Sequence, residues 1–317
     1  MPSLPSMPSM PSMPRSLADL AVRRVFQLPP SPELPPGWCV EIPGRGTGFV
    51  CDVPGPEPDS PVLFLVHGLA CTAYLNWFPA IDALRQKYRL VMMDLRGHGR
   101  GIPSRRYFRL GTCATDIVAV ADLLGIDKFI LVGYSMGGPV AQLVWRKYPE
   151  RVEGMVLCAT SRNFRGKPQE RFFFLVLPLV ALSMSMRKRT KIDPAEVMAR
   201  RLADLPDDAN LRDINVPTWA WAEFRRTSPW TILQAVNAIG QFSSHGWIGD
   251  VDVPTAVVVT TRDRFIPTGR QLRLAQAIRG ASVHAFPGNH AACVLESHKF
   301  VPALVEACDS VAARLAK

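Results

Sequence analysis

The chain has 317 residues, 48% of them hydrophobic, which suffices for a buried core and argues against global disorder. Its length fits one α/β core carrying an insertion. The formal net charge is +10, yet the basic runs Arg187-Lys188-Arg189, Arg200-Arg201 and Arg225-Arg226 have neither zinc-finger spacing nor an RNP-like aromatic signature beside them, so a nucleic-acid partner is not expected.

Residues 1–14 belong to a Pro-Ser-Met repeat that resists helix and sheet. They read as a disordered tail, or as sequence upstream of a start at Met13. They do not have the pattern of a secretory signal, and a cytoplasmic address is the default expectation. Residues 38–42 and 47–53 then read as two strands joined by the turn Pro43-Gly44-Arg45-Gly46. The runs 61–66 (PVLFLV), 89–94 (RLVMMD), 128–133 (KFILVG), 152–159 (VEGMVLCA), 255–261 (TAVVVTT) and 282–286 follow as further strands. Uninterrupted apolar runs of this length mark strands buried on both faces, as in a parallel sheet. Helical patterns lie between them at 77–87, 115–124, 136–148 and 270–278. Strands alternating with helices predict an α/β fold with a mostly parallel, doubly wound sheet. From 161 to 248 the alternation stops. That stretch reads as a mostly helical cap, inserted between core segments 15–160 and 249–317, over the sheet edge where α/β proteins bind ligands. Seven scattered cysteines without a CxxC pair suggest neither a zinc site nor a disulfide framework, and a reducing interior suits them.

The strongest chemical signal is Gly133-Tyr134-Ser135-Met136-Gly137-Gly138, a G-x-S-x-G segment between an apolar strand and a helical pattern. Such a turn holds a serine in a strained conformation at a helix N-terminus, where developing negative charge is favoured. A serine hydroxyl needs a base. Among six histidines, His290 in Pro287-Gly288-Asn289-His290 sits in the loop after the last strand and is the candidate. His67 and His98 lie beside glycines and read as structural hydrogen-bonders. His284 falls within a strand, His298 on a terminal helix, and His245 in the cap. Asp263, which follows the strand 255–261, is the candidate orienting acid, and the order Ser, Asp, His is that expected for this kind of site. Asp250 and Asp252 are weaker candidates because they precede that strand. The backbone N–H groups of Leu69 and Met136 are the candidate oxyanion donors.

These motifs resemble those of the α/β-hydrolase superfamily across roughly residues 38–315. The resemblance includes Val66-His67-Gly68, Asp94-Leu95-Arg96-Gly97-His98-Gly99, Arg262-Asp263-Arg264-Phe265-Ile266-Pro267 and Gly288-Asn289-His290. The elbow is similar to those of esterases, monoacylglycerol-lipase-like enzymes, C–C hydrolases and cofactor-free perhydrolases. Ser135 stands where epoxide hydrolases and haloalkane dehalogenases carry aspartate. Many relatives have Gly-His at the catalytic histidine; this chain has Asn289-His290, which a turn tolerates. The resemblance implies hydrolysis of a small ester or lipid through an acyl-enzyme, with C–C or perhydrolase chemistry as the alternative, and no metal or organic cofactor. The run 172–186 (FFFLVLPLVALSMSM), too short to span a bilayer comfortably, reads either as cap helices or as a lipid-facing lid making peripheral membrane contact. Trp219, Trp221, Phe224, Trp230, Phe242 and Trp247 suit an apolar pocket or core equally.

Overall fold

The computed structural model describes residues 32–104, 107–164 and 219–315. The expected tail, most of the expected cap and the run 172–186 lie outside those residues. Among the described residues no helix is long and apolar enough to cross a membrane.

The chain opens with an antiparallel hairpin of β1 (Gly37–Ile42) and β2 (Gly46–Val53). Gly44 and Gly46 have φ of +69° and +103° there, a region that a side chain disfavours. Strands β3 (Val62–Val66), β4 (Arg89–Met93), β5 (Phe129–Tyr134), β6 (Val152–Cys158), β7 (Thr255–Thr260) and β8 (Ser282–Phe286) complete one eight-stranded sheet in the order β1-β2-β4-β3-β5-β6-β7-β8. From β4 to β8 across the sheet, all neighbours run parallel. All residues of β5 and of β7 are buried. Because consecutive strand side chains point to opposite faces, both faces of the sheet must be covered. That is the expected doubly wound α/β architecture.

The helices are α1 (Ala73–Leu84), α2 (Leu110–Leu123), α3 (Gly137–Lys147), α4 (Pro229–Gln241), α5 (Thr268–Ala277), α6 (Ala292–Leu295) and α7 (Ser297–Leu315). Helix α1 packs on α7 and α2 on α3. Trp77, Phe64, Phe129 and Phe300 are among the largest fully buried side chains. Helices α1 and α2 begin a full turn or more before their periodicity predicts. Helix α1 starts at residue 73 rather than 77, because the Thr72 hydroxyl caps it by accepting the Leu75 N–H at 3.1 Å. Helix α2 starts at residue 110 rather than 115, and its N-cap Arg109 makes no side-chain capping bond, so the sequence there carries no start signal.

One buried ion cluster ties the hairpin to the parallel part. The Asp116 side chain on α2 is wholly buried. It accepts two hydrogen bonds from Arg96 at 2.8 Å each and one from Arg45 of the β1–β2 turn at 2.9 Å. Removing the carboxylate would leave two facing guanidinium groups without their counter-charge. Asp116→Ala is expected to lower unfolding stability by about 3 kcal/mol, and a urea titration checks it; an unchanged midpoint would show that the cluster contributes nothing net.

Candidate active site

Ser135 immediately follows β5 and has φ of +51°, a left-handed conformation rare for a side-chain-bearing residue. The surrounding glycines make this possible. A Cβ on Gly133 would lie 2.5 Å from the Gly137 carbonyl oxygen, and one on Gly138 would strike the Thr160 side chain. The backbone of Ser135 is held on both sides. Its N–H donates to the Cys158 carbonyl at 2.9 Å, and its carbonyl accepts from Thr160 Oγ1 at 2.8 Å and from Gly138 N–H at 3.0 Å. Helix α3 starts two residues later, so the hydroxyl stands at a helix N-terminus.

The three sequence-predicted side chains converge. Ser135 Oγ is 2.9 Å from His290 Nε2, and His290 Nδ1 is 2.7 Å from Asp263 Oδ2. The Asp263 side chain is 0% exposed and that of His290 21%, so the carboxylate is sealed off while the imidazole is partly exposed. The carboxylate is well supplied with donors. Its Oδ1 accepts the N–H groups of Phe265 and Ile266 at 2.8 Å, and its Oδ2 accepts the Thr260 hydroxyl at 2.9 Å. With Asp263 ionised, Nδ1 carries the imidazole proton, leaving Nε2 as an acceptor for the serine hydroxyl. The histidine loop is fixed from below by Tyr134, whose hydroxyl donates to the His290 carbonyl at 2.8 Å. Burial pushes the Tyr134 phenol well above its ordinary pKa, so it stays a donor. Asn289 stabilises its own turn by accepting the Ala291 N–H at 2.8 Å, as a turn-forming asparagine does.

The loop after β3 closes the other side. A Cβ on Gly68 would sit 3.4 Å from Ser135 Cβ. Asn76 of α1 accepts the Gly68 N–H at 2.9 Å. Among the described turn and loop hydrogen bonds, the N–H groups of Leu69 and Met136 have no acceptor. His67 Nε2 accepts the Leu95 N–H at 2.8 Å, so Nδ1 is the protonated nitrogen and donates to the Gly68 carbonyl at 2.7 Å. His98 Nδ1 lies 3.2 Å from the Arg96 carbonyl, and its buried Nε2 is without a partner among the described residues. Among the described residues, neither histidine is hydrogen-bonded to Ser135, Asp263 or His290.

The remaining predicted positions fall elsewhere. His284 lies beside Ser282 and Glu306, His298 is exposed on α7, and exposed His245 pairs with Ser243 at 3.1 Å. Asp252 accepts the Trp145 indole N–H and Asp250 lies 3.9 Å from Arg146, both at the opposite end of β7 from Asp263. Phe242 and Trp247 pack with Phe164 and Trp145, whereas Trp221 and Trp230 are exposed. A cavity of about 440 Å³ between the start of α2 and α4 shares no lining residue with the Ser135 cluster. Sequence reasoning missed Thr260 and Gln271 behind Asp263, and also Glu223. Buried Glu223 accepts the Thr72 hydroxyl at 2.6 Å and Arg100 Nη2 at 3.0 Å, linking helical residues 220–224 to the N-cap of α1.

Comparison with known proteins finds a match to the alpha/beta hydrolase fold family over residues 61–297. A protein of Klebsiella pneumoniae (strain 342) named "Putative carbamate hydrolase RutD" is 27% identical over 269 residues, covering 83% of this chain and 95% of its own. The crystal structure of the enol-lactonase from Burkholderia xenovorans LB400 superposes with a TM-score of 0.65 at 20% identity, covering 86% of this chain and 100% of that one. An esterase from Exiguobacterium antarcticum gives a TM-score of 0.68 at 17% identity, covering 86% and 98%. At those identities the two structures show likeness of fold.

Buried His67 and His98 give the fold a pH dependence. Burial lowers the pKa of His67 to about 4 and, with the neighbouring His67 as a lesser cause, that of His98 to about 3. Both are therefore neutral in the folded chain, while the unfolded chain takes up their protons below pH 6.5. Their stabilisation is complete above pH 6.5 and is lost as pH falls towards 4, by roughly 1.4 kcal/mol per pH unit for each ring. Urea unfolding at pH 7, 6 and 5 should show this decline. His98→Leu, which removes one titrating ring, should make it shallower; equal slopes would contradict the assignment.

Proposed function

From the chain's membership of the α/β-hydrolase fold family, we propose that it is a serine hydrolase that cleaves carboxylic esters of apolar acyl groups through an acyl-enzyme. The observation that carries the reading is the hydrogen-bonded line from Ser135 Oγ through His290 to Asp263, at 2.9 and 2.7 Å. Ser135 attacks the ester carbonyl as His290 Nε2 takes its proton. Asp263 holds the imidazole in the required tautomer and stabilises the imidazolium without taking the proton itself. The tetrahedral oxyanion is received by the N–H groups of Leu69 and Met136, one from each loop flanking Ser135. His290 then returns the proton to the departing alkoxide, and the alcohol leaves. Water, deprotonated by the same nitrogen, attacks the acyl-enzyme, and the acid is released with Ser135 restored.

The same steps operate on a carbamate carbonyl, the substrate class in the name of the Klebsiella relative. A panel of aryl esters of graded acyl length beside aryl carbamates therefore reads the substrate directly. The assignment of Ser135 is tested on its own. Ser135→Ala should lose turnover of p-nitrophenyl acetate by at least about 10³-fold and lose labelling by a fluorophosphonate altogether. Undiminished labelling of the variant would sink the proposal.

A further inference from the structure

We infer that Thr260, aimed by Gln271, is a positioning residue that sets the proton affinity of the Asp263–His290 pair. The inference rests on the reading of His290 as the general base. The geometry carries it. Gln271 on α5 is wholly buried, and its amide orientation is fixed from both ends. Its Oε1 accepts the Thr260 N–H at 3.0 Å, while its Nε2 donates to the Ile266 carbonyl at 2.7 Å. The nearest acceptor for the second hydrogen of Nε2 is Thr260 Oγ1 at 2.8 Å, with the Thr260 carbonyl at 3.3 Å and Asp263 Oδ2 at 3.4 Å farther off. With that lone pair occupied, the threonine hydroxyl directs its own hydrogen to Asp263 Oδ2 at 2.9 Å. Oδ2 is the same oxygen that receives His290 Nδ1. A one-way line of donors thus runs from Gln271 through Thr260 into the carboxylate oxygen that faces the base.

The chemical consequence has a sign. A donor on Oδ2 draws off charge that would otherwise hold the imidazolium proton. Without the hydroxyl, Oδ2 becomes the stronger acceptor for Nδ1–H, and the imidazolium persists to higher pH. The hydroxyl also stops the carboxylate from rotating about its Cβ–Cγ bond, since Oδ1 is already held by Phe265 and Ile266 N–H.

Among the described residues, the titrating groups near the imidazole are these. Tyr134 beneath it and Cys293 on α6 have pKa values raised by burial, that of Cys293 to about 12, and burial raises the Cys71 thiol further. All three are neutral across the working range. Arg262 and Arg264 flank Asp263 in the chain. Glu296, held low first by the Asn289 N–H and then by Lys299, stays anionic. On the general-base reading, the acid limb of a kcat/KM profile reads protonation of the base.

Thr260→Val keeps the shape and removes the donor. It should lower kcat about tenfold, leave KM within twofold, and move the acid limb up by about half a pH unit. Thr260→Ser should overlay the wild type in all three. If the valine variant does not fold, Thr260→Ala with native circular dichroism makes the same measurement. A folded valine or alanine variant with an unshifted limb and unchanged kcat overturns the inference, as does a serine variant impaired like valine. A wild-type protein that is neither labelled by fluorophosphonate nor active on any ester or carbamate fails the serine-hydrolase reading instead, so the two failures are separate.

Discussion

The rest of the site depends on one backbone angle, the left-handed φ of Ser135. That conformation costs an L-residue about 1–2 kcal/mol, and the fold must hold it against relaxation. The sheet does this through neighbouring strands. Register between β5 and β6 places Tyr134 opposite Cys158, so the Ser135 N–H meets the Cys158 carbonyl directly. Thr160, two residues beyond β6, then holds the Ser135 carbonyl. On the other side, pairing of β3 with β5 brings Val66 opposite Gly133 and sets the Gly68 turn against the serine side chain. The strand order β3-β5-β6 is therefore the minimum sheet that can build this turn.

His290 and Asp263 reach the serine from 155 and 128 positions further along the chain, and the parallel order of β7 and β8 delivers both at the same sheet edge. The Asp263 side chain is sealed off beside an imidazole that is partly exposed. A buried carboxylate is tolerated only when its oxygens are satisfied by donors, and the Asp263 oxygens receive backbone, hydroxyl and imidazole hydrogens together. Nearby charge is managed in the same way. Asp94 accepts the N–H groups of Ala73 and Arg100, and Glu223 receives Thr72 and two arginines. The loop bearing Leu69 is thus pinned at His67, Gly68 and Thr72, between two rigid anchors.

What the sequence made legible follows the range of the physics involved. The strands from β3 to β7 were readable because burial on both faces writes itself as an unbroken apolar run. Ser135, Asp263 and His290 were readable because each sits at a strand end in a turn with its own short signature. The starts of α1 and α2 were not. Thr72 caps through a side chain inside a loop already crowded with turn residues, and Arg109 caps with nothing. Thr260 was hidden for a different reason. In TAVVVTT a threonine reads as another β-branched strand residue, and its hydroxyl matters only because Gln271, eleven positions on, turns back to meet it. Gln271 itself lies on a helix whose pattern is polar overall, so its burial leaves no trace in the periodicity. Glu223 likewise owes its role to partners 123 and 151 positions away.

These differences in legibility match a difference in how the two halves of the site are built. The nucleophile turn is made of backbone: glycines at 133, 137 and 138 that leave no room for a Cβ, and main-chain hydrogen bonds into β6. Change there must move the sheet, so conformation and chemistry are lost together. The base is oriented by side chains stacked one behind another, from Gln271 to Thr260 to Asp263 to His290. A side chain can lose one hydrogen bond while β7 keeps its place in the sheet, so this half can vary in orientation with little change in fold. The backbone half fixes where the Ser135 oxygen stands, and the side-chain half fixes how the imidazole beside it is held.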